Sequence, residues 1–145
     1  MNTREIDAIL SPYPWYGGTL ARDELPQNPQ KHTFYIVNSD VSGRRGRHWF
    51  TLYIGENKGE MFDSVGDRIK SRKDIENFLI NNTCEYMYNT QRIQDHKSNT
   101  CGLYSIIYCM LRSTGYTMKD IINMFGSDLK KNDDIVKTLY NDLMK

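Results

Sequence analysis

The sequence predicts an α+β fold, with a central, mostly antiparallel sheet flanked by helices, in a single domain covering residues 1–145. Three observations lead there. β-type runs gather between residues 33 and 63 and include a hairpin. Helix-opening signals stand at the N-terminus and again through the C-terminal half. At 145 residues and 39% hydrophobic, the chain supports one substantial core and is too short for two.

Taken in order, Asn2 with Glu5 three residues on has the form of a capping box, so Arg4 to Leu10 reads as a short helix stopped by Ser11, Pro12 and Pro14. "YGGTLARDELPQNPQ" reads as an irregular crossing, and the paired glycines of "WYGG" as a tight turn. Thr33 to Asn38 is β-rich, and "SDVSGRRG" is a loop leading into "HWFTLYI". Ser71 with Asp74 is a second capping-box signal, opening a helix through Phe78 and Leu79. "CEYMY" is one more short strand, and the loop "QRIQDHKSNT" follows it. The last three helices open near Cys101, at Thr117, and at Asn132 with Asp133 and Asp134 in the first turn.

The hairpin carries the most information. "HWFTLYI" and "EMFDS" are joined by "GENKG", and a turn over residues 55–58 sets Ile54 opposite Gly59, Leu52 opposite Met61 and Phe50 opposite Asp63. Side chains alternate along a strand, so His48, Phe50, Leu52, Met61 and Asp63 share one face while Glu60 takes the other. This register makes Asp63 rather than Glu60 the carboxylate partner of His48, and a one-residue slip would reverse the choice.

The net charge of +1 does not mark a dedicated nucleic-acid or membrane binder. The clusters Arg44, Arg45, Arg47 and Lys70, Arg72, Lys73 read as solvated turns. Three cysteines form no dense framework, which points to a reducing compartment, and no four-ligand zinc spacing occurs. "MNTREIDAIL" lacks the apolar stretch of a signal peptide, and no run is long enough to cross a membrane; a soluble, intracellular protein is expected.

Among the cysteines, Cys101 stands apart. From it, apolar residues fall at Leu103, Ile106, Ile107, Met110 and Leu111, the spacing of one buried helical face. Cys101 is therefore in the first turn, where unpaired N–H groups and the helix dipole favour thiolate. The plainer reading is a small hydrophobe entering a core helix. What favours chemistry is the set of partners a thiol hydrolase requires. Cys101 would attack, His48 would take and return the proton, and Asp63 would orient the imidazole. Gln94, with the Cys101 N–H, would hold the oxyanion. Taken singly, His48 also reads as a strand histidine, Asp63 as a turn carboxylate, Gln94 as a loop amide and Trp49 as a core anchor; His32 and His96 read as surface or loop residues.

These residues carry a family resemblance. "RHWFTLYI", "MFDSVG" and "QDHKSNTCGLY", in that order, resemble the active-site segments of the adenovirus-type cysteine proteases, the adenain group, with relatives in virophages and Polinton-like elements. "YIVNSDVSGRRGRHW" and "YGGTLARDELP" are similar to stretches that precede the histidine there, so the likeness runs from about residue 5 to residue 112.

The resemblance implies a papain-like catalytic centre in permuted chain order. His48, Asp63, Gln94 and Cys101 match the family's base, acid, oxyanion glutamine and nucleophile, and Trp49 and Gly102 fall at substrate-binding positions. It implies cleavage of capsid and other virion precursor proteins after Gly-Gly or Gly-X-Gly, in the virion and the host-cell virus factory, with no cofactor. Cys84 falls close to the position through which the adenovirus enzyme is joined to an activating viral peptide. The near-balanced charge and the Asp in place of Glu depart from that enzyme, and the charge speaks against DNA activation. Two alternatives stand beside this reading. One is a SUMO-protease-like isopeptidase, which shares the His-Trp, Asp, Gln, Cys-Gly order. The other is an idle interaction or nucleic-acid-binding module using the "GRRGR" loop.

Overall fold

The structure, a computed structural model, describes residues 1–40, 48–66 and 69–145. The expected basic loop with Arg44, Arg45 and Arg47 lies outside the described residues. The architecture is α+β. Helix α1 (Thr3–Leu10) leads into strands β1 (Tyr16–Ala21), β2 (Thr33–Asn38), β3 (Trp49–Ile54) and β4 (Lys58–Phe62). A single 3-10 turn (Ile69–Ser71) precedes α2 (Lys73–Asn82) and β5 (Glu85–Tyr88), and α3 (Cys101–Ser113), α4 (Met118–Ile122) and α5 (Leu129–Leu143) complete the chain.

The strands form one sheet in the order β1-β2-β3-β4-β5. The β3–β4 hairpin has the register the turn implies, with Ile54 opposite Gly59 and Leu52 opposite Met61. The sheet is mixed, however, and not mostly antiparallel. β2–β3 and β3–β4 are antiparallel, whereas β1–β2 and β4–β5 are parallel. Each parallel pair needs a crossover: residues 22–32 carry the chain back from β1, and α2 carries it from β4 to β5.

Alternation along the central strands divides the core in two. Phe34, Ile36, Trp49 and Phe62 pack against Ile6 and Leu10 of α1, the inner face of α3, Met118 and Ile121 of α4, and Val136 of α5. Tyr35, Val37, Phe50, Leu52, Ile54 and Met61 face the other way, onto Ile75, Phe78 and Leu79 of α2. Both faces of β2 and β3 are covered, which is why these strands read as nearly continuous apolar runs.

Three local expectations are corrected. "YGG" is not a turn but part of β1. Gly17 lies flat on β2, where a Cβ would come within 2.4 Å of the Tyr35 ring, and Gly18 takes φ +137 at a bulge in the pairing. The helix after Ser71 begins at Lys73 with no side-chain cap, and Asp74 instead binds Arg22 at 2.9 Å. The last helix is capped by Asp128, whose side chain accepts from the Lys131 N–H, and Asn132 and Asp133 are buried one turn inside it.

Candidate active site

The site is built where elements end. His48 lies one residue before β3, Asp63 one residue after β4, and Cys101 is the first residue of α3. α3 covers one face of the sheet, and the turn bearing Arg72 covers the other. Cys101, His48, Asp63 and Arg72 therefore form a line across the sheet end, from one face to the opposite one.

Each link is specified. His48 Nε2 is 2.7 Å from Asp63 Oδ1, which leaves Nδ1 as the ring nitrogen available to the sulfur, and the imidazole and the Cys101 thiol shift one another's ionisation. The Trp49 N–H donates to Cys101 Sγ at 3.5 Å. Asp63 is held on all sides: Oδ1 also accepts from the Val65 N–H at 2.8 Å, and Oδ2 accepts from Arg72 Nη1 at 2.7 Å. Asn89 grips its backbone, accepting from the Asp63 N–H at 2.8 Å and donating to its carbonyl at 2.6 Å.

Electrostatics follow from this geometry. Burial, the largest influence on each of the three groups, opposes its charged form, and the mutual hydrogen bonds outweigh it. Hydrogen bonds with Asp63 and Cys101 and their negative charge raise the His48 pKa to about 9. Bonds from His48 and from the Trp49 and Gly102 N–H groups, with the imidazolium charge, bring the Cys101 thiol below its ordinary value. His48, Arg72 and the Val65 N–H likewise hold Asp63 below the usual carboxylate range. The two shifts run in the directions that favour the thiolate–imidazolium pair over the neutral one. Such a pair can attack a carbonyl carbon and deliver a proton to the group that leaves.

Gln94 is buried and bound to Ser64, the residue after Asp63. Ser64 donates to its Oε1 at 2.6 Å, and one Nε2 hydrogen goes to the Ser98 carbonyl at 3.0 Å. The backbone N–H groups of Ile93 and Gln94 both donate to the Ser64 carbonyl, at 2.9 and 3.0 Å, so the glutamine is fixed to the residue next to Asp63.

A scan against protein-family models finds no match, and a search of curated proteins finds no relative. Among solved structures, the ASFV pS273R protease is similar. It shows 20% identity and a TM-score of 0.45, with 71% of this chain and 43% of that chain covered. The present chain thus spans less than half the length of that protein.

The remaining predicted positions are also placed. Trp49 is buried, and its Nε1 donates to the Met1 carbonyl at 3.1 Å. A Cβ on Gly102 would meet Met1 Cβ at 3.3 Å and Trp49 Cδ1 at 3.5 Å, so Gly102 is covered by both side chains. Cys84 is exposed just ahead of β5. His96 is exposed, and His32 pairs at the surface with Glu56. Glu60 turns to the α3 side and binds Arg112 and Tyr108. Among the described residues, no group of three or more His, Cys, Asp and Glu side chains is placed to hold a metal ion.

Sequence reasoning missed Arg72 and Asn89. Arg72 was grouped with Lys70 and Lys73 as a solvated turn, yet it is 8% exposed, lies over the Phe50 ring at 4.3 Å and binds Asp63, while the two lysines are exposed. A signal was present, because an arginine just ahead of an apolar helix, following a strand that ends in Asp, is suited to a bidentate-capable partner. Asn89 left no such trace in the sequence.

Proposed function

We propose that this chain is a cysteine endopeptidase of virion maturation, of the adenain-like kind, with a papain-like centre in permuted chain order. The observation that carries the reading is His48 held at 2.7 Å by Asp63 Oδ1 while the N–H of the next residue, Trp49, donates to the Cys101 sulfur at 3.5 Å at a helix N-terminus. The thiolate attacks the scissile carbonyl carbon. The developing oxyanion is met by the second Nε2 hydrogen of Gln94 and the Cys101 N–H, a first-turn donor of α3. Collapse breaks the C–N bond, and the amine leaves with the proton from His48. His48 then takes a proton from water, which attacks the thioester and releases the acid and the thiolate.

The substrates are capsid and other virion precursor proteins, cut after Gly-Gly or Gly-X-Gly in the virion or the virus factory. An activating viral peptide joined by a disulfide would attach at exposed Cys84, and a net charge of +1 gives DNA activation no support. The complete Cys101–His48–Asp63 line favours an enzyme over an idle module.

The test is incubation with a fluorogenic Leu-Gly-Gly-aminocoumarin peptide and with capsid precursors, using wild type and Cys101→Ala. Cleavage after glycine that vanishes in Cys101→Ala is expected. Absence of cleavage of both substrate types, or cleavage that survives the substitution, overturns the reading.

A further inference from the structure

The span between Gln94 and Cys101 decides whether the amide and the sulfur can serve one carbonyl, and that span is a loop without regular structure. Inside it, the Gln94 amide reaches Ser98, and Ser98 returns to the Asp95 carbonyl through its N–H at 3.3 Å and its hydroxyl at 3.2 Å. These bonds shape the loop but do not tie it to the molecule. α5 does that. Asp133, 5% exposed, presents one oxygen, Oδ1, to the Asp95 N–H at 3.3 Å, the Thr100 hydroxyl at 3.2 Å and the Tyr104 hydroxyl at 2.9 Å. Its neighbour Asn132, 1% exposed, donates to the Ile93 carbonyl at 3.0 Å and is itself pinned to Gly126.

One atom thus holds the residue after Gln94 and the residue before Cys101. We propose that Asp133 is a positioning residue whose Oδ1 sets the distance between the Gln94 amide and the Cys101 sulfur by gathering both ends of their connecting loop. The proposal rests on the hydrolase reading above. A carboxylate suits the task because one anionic oxygen accepts several short bonds, each stronger than its neutral counterpart. An α5 backbone carbonyl would be committed to the helix.

The consequence separates two reactions of the same thiol. Peptide hydrolysis builds an oxyanion and needs Gln94 in place, whereas alkylation by iodoacetamide builds none and needs only the thiolate. In Asp133→Ala, kcat on the Leu-Gly-Gly-aminocoumarin peptide falls roughly 10- to 100-fold, part of what outright loss of an oxyanion donor costs. Its KM and the alkylation rate of Cys101 stay within about twofold of wild type. In a Gln94→Ala background the same substitution adds less than about threefold, because it acts through that amide.

Thr100→Val supplies a second reading that does not depend on Asp133→Ala folding. It removes one arm of the contact, together with the Thr100–Ser98 hydroxyl contact of 3.0 Å inside the loop, and no helix cap, since the Thr100 side chain makes none. Its kcat falls with alkylation unchanged. Parallel loss of hydrolysis and alkylation, multiplicative losses in the double variant, or full turnover in Thr100→Val overturns the assignment. Wild type without Cys101-dependent turnover sinks the hydrolase reading itself, an outcome distinct from wild type and Asp133→Ala turning over alike.

Discussion

At Cys101, burial and hydrogen bonding act in opposite directions, and the balance predicts how the site responds to pH. The reactive pair needs His48 protonated and Cys101 ionised. Raising pH through about 9 removes the imidazolium proton, and lowering pH below the depressed thiol value restores the thiol. kcat/KM is therefore expected to be bell-shaped, with its alkaline limb near pH 9. Asp63→Asn removes the charge that holds the proton on His48, so that limb moves down by about one unit or more, as expected for loss of a contacting opposite charge. A pH-rate profile of the two proteins checks this, and an unmoved limb would deny Asp63 its role. His48 and Asp63 were legible in the sequence because strand alternation and a short turn fix which side chains share a face. Arg72, Asn89 and Asp133 were not, because each reaches its partner from an element whose position only tertiary packing determines.

Elements differed in legibility for the same kind of reason. The β3–β4 hairpin is a local object, specified by its turn and its apolar alternation, and its register was readable to the residue. β1 was hidden because its pairing depends on glycine, a poor strand former, and on a partner reached across an irregular crossing. Its first glycine gives a direct test. In Gly17→Ala the new methyl meets the Tyr35 ring and Thr33 Cγ2, and either the ring turns or β1 lifts from β2. A loss of about 1 to 3 kcal/mol is expected from such overpacking, read as a lower urea midpoint with little change in m. Unaltered stability would mean that β1 does not lie as closely on β2 as described. The helix openings at Asn2, Cys101 and Thr117 were readable from local signals, while Asn132 and Asp133 resembled a cap only because buried polar residues and helix caps draw on the same residue types.

Across the whole molecule, a second buried ionic contact ties the sheet to α3 away from the site. Glu60 accepts from Arg112 at 2.8 Å and from the Tyr108 hydroxyl, and Tyr108 stacks on Phe62 with ring centroids 4.3 Å apart. A rise of 1.5 Å per residue places Arg112 roughly 16 Å along α3 from Cys101. Arg112→Leu strands a nearly buried carboxylate, which costs about 2 to 3 kcal/mol once partial exposure of the arginine is allowed for. Thermal unfolding should show that loss while peptide turnover per folded molecule is unchanged, and a parallel loss of turnover would show the two regions to be coupled. Strand order is the least legible feature at this scale. The two crossovers that make the sheet mixed are long-range closures, and hydrophobic periodicity carries no record of which edge a strand joins.

The loop clasped by α5 also bears on biosynthesis. The imidazole and its carboxylate emerge from the ribosome first and the sulfur later, but the residue that gathers the intervening loop is translated later still. A nascent chain halted before that point carries every reacting atom but lacks the side chain that clasps the loop. On the hydrolase reading proposed above, full turnover waits until Asp133 has folded onto that loop.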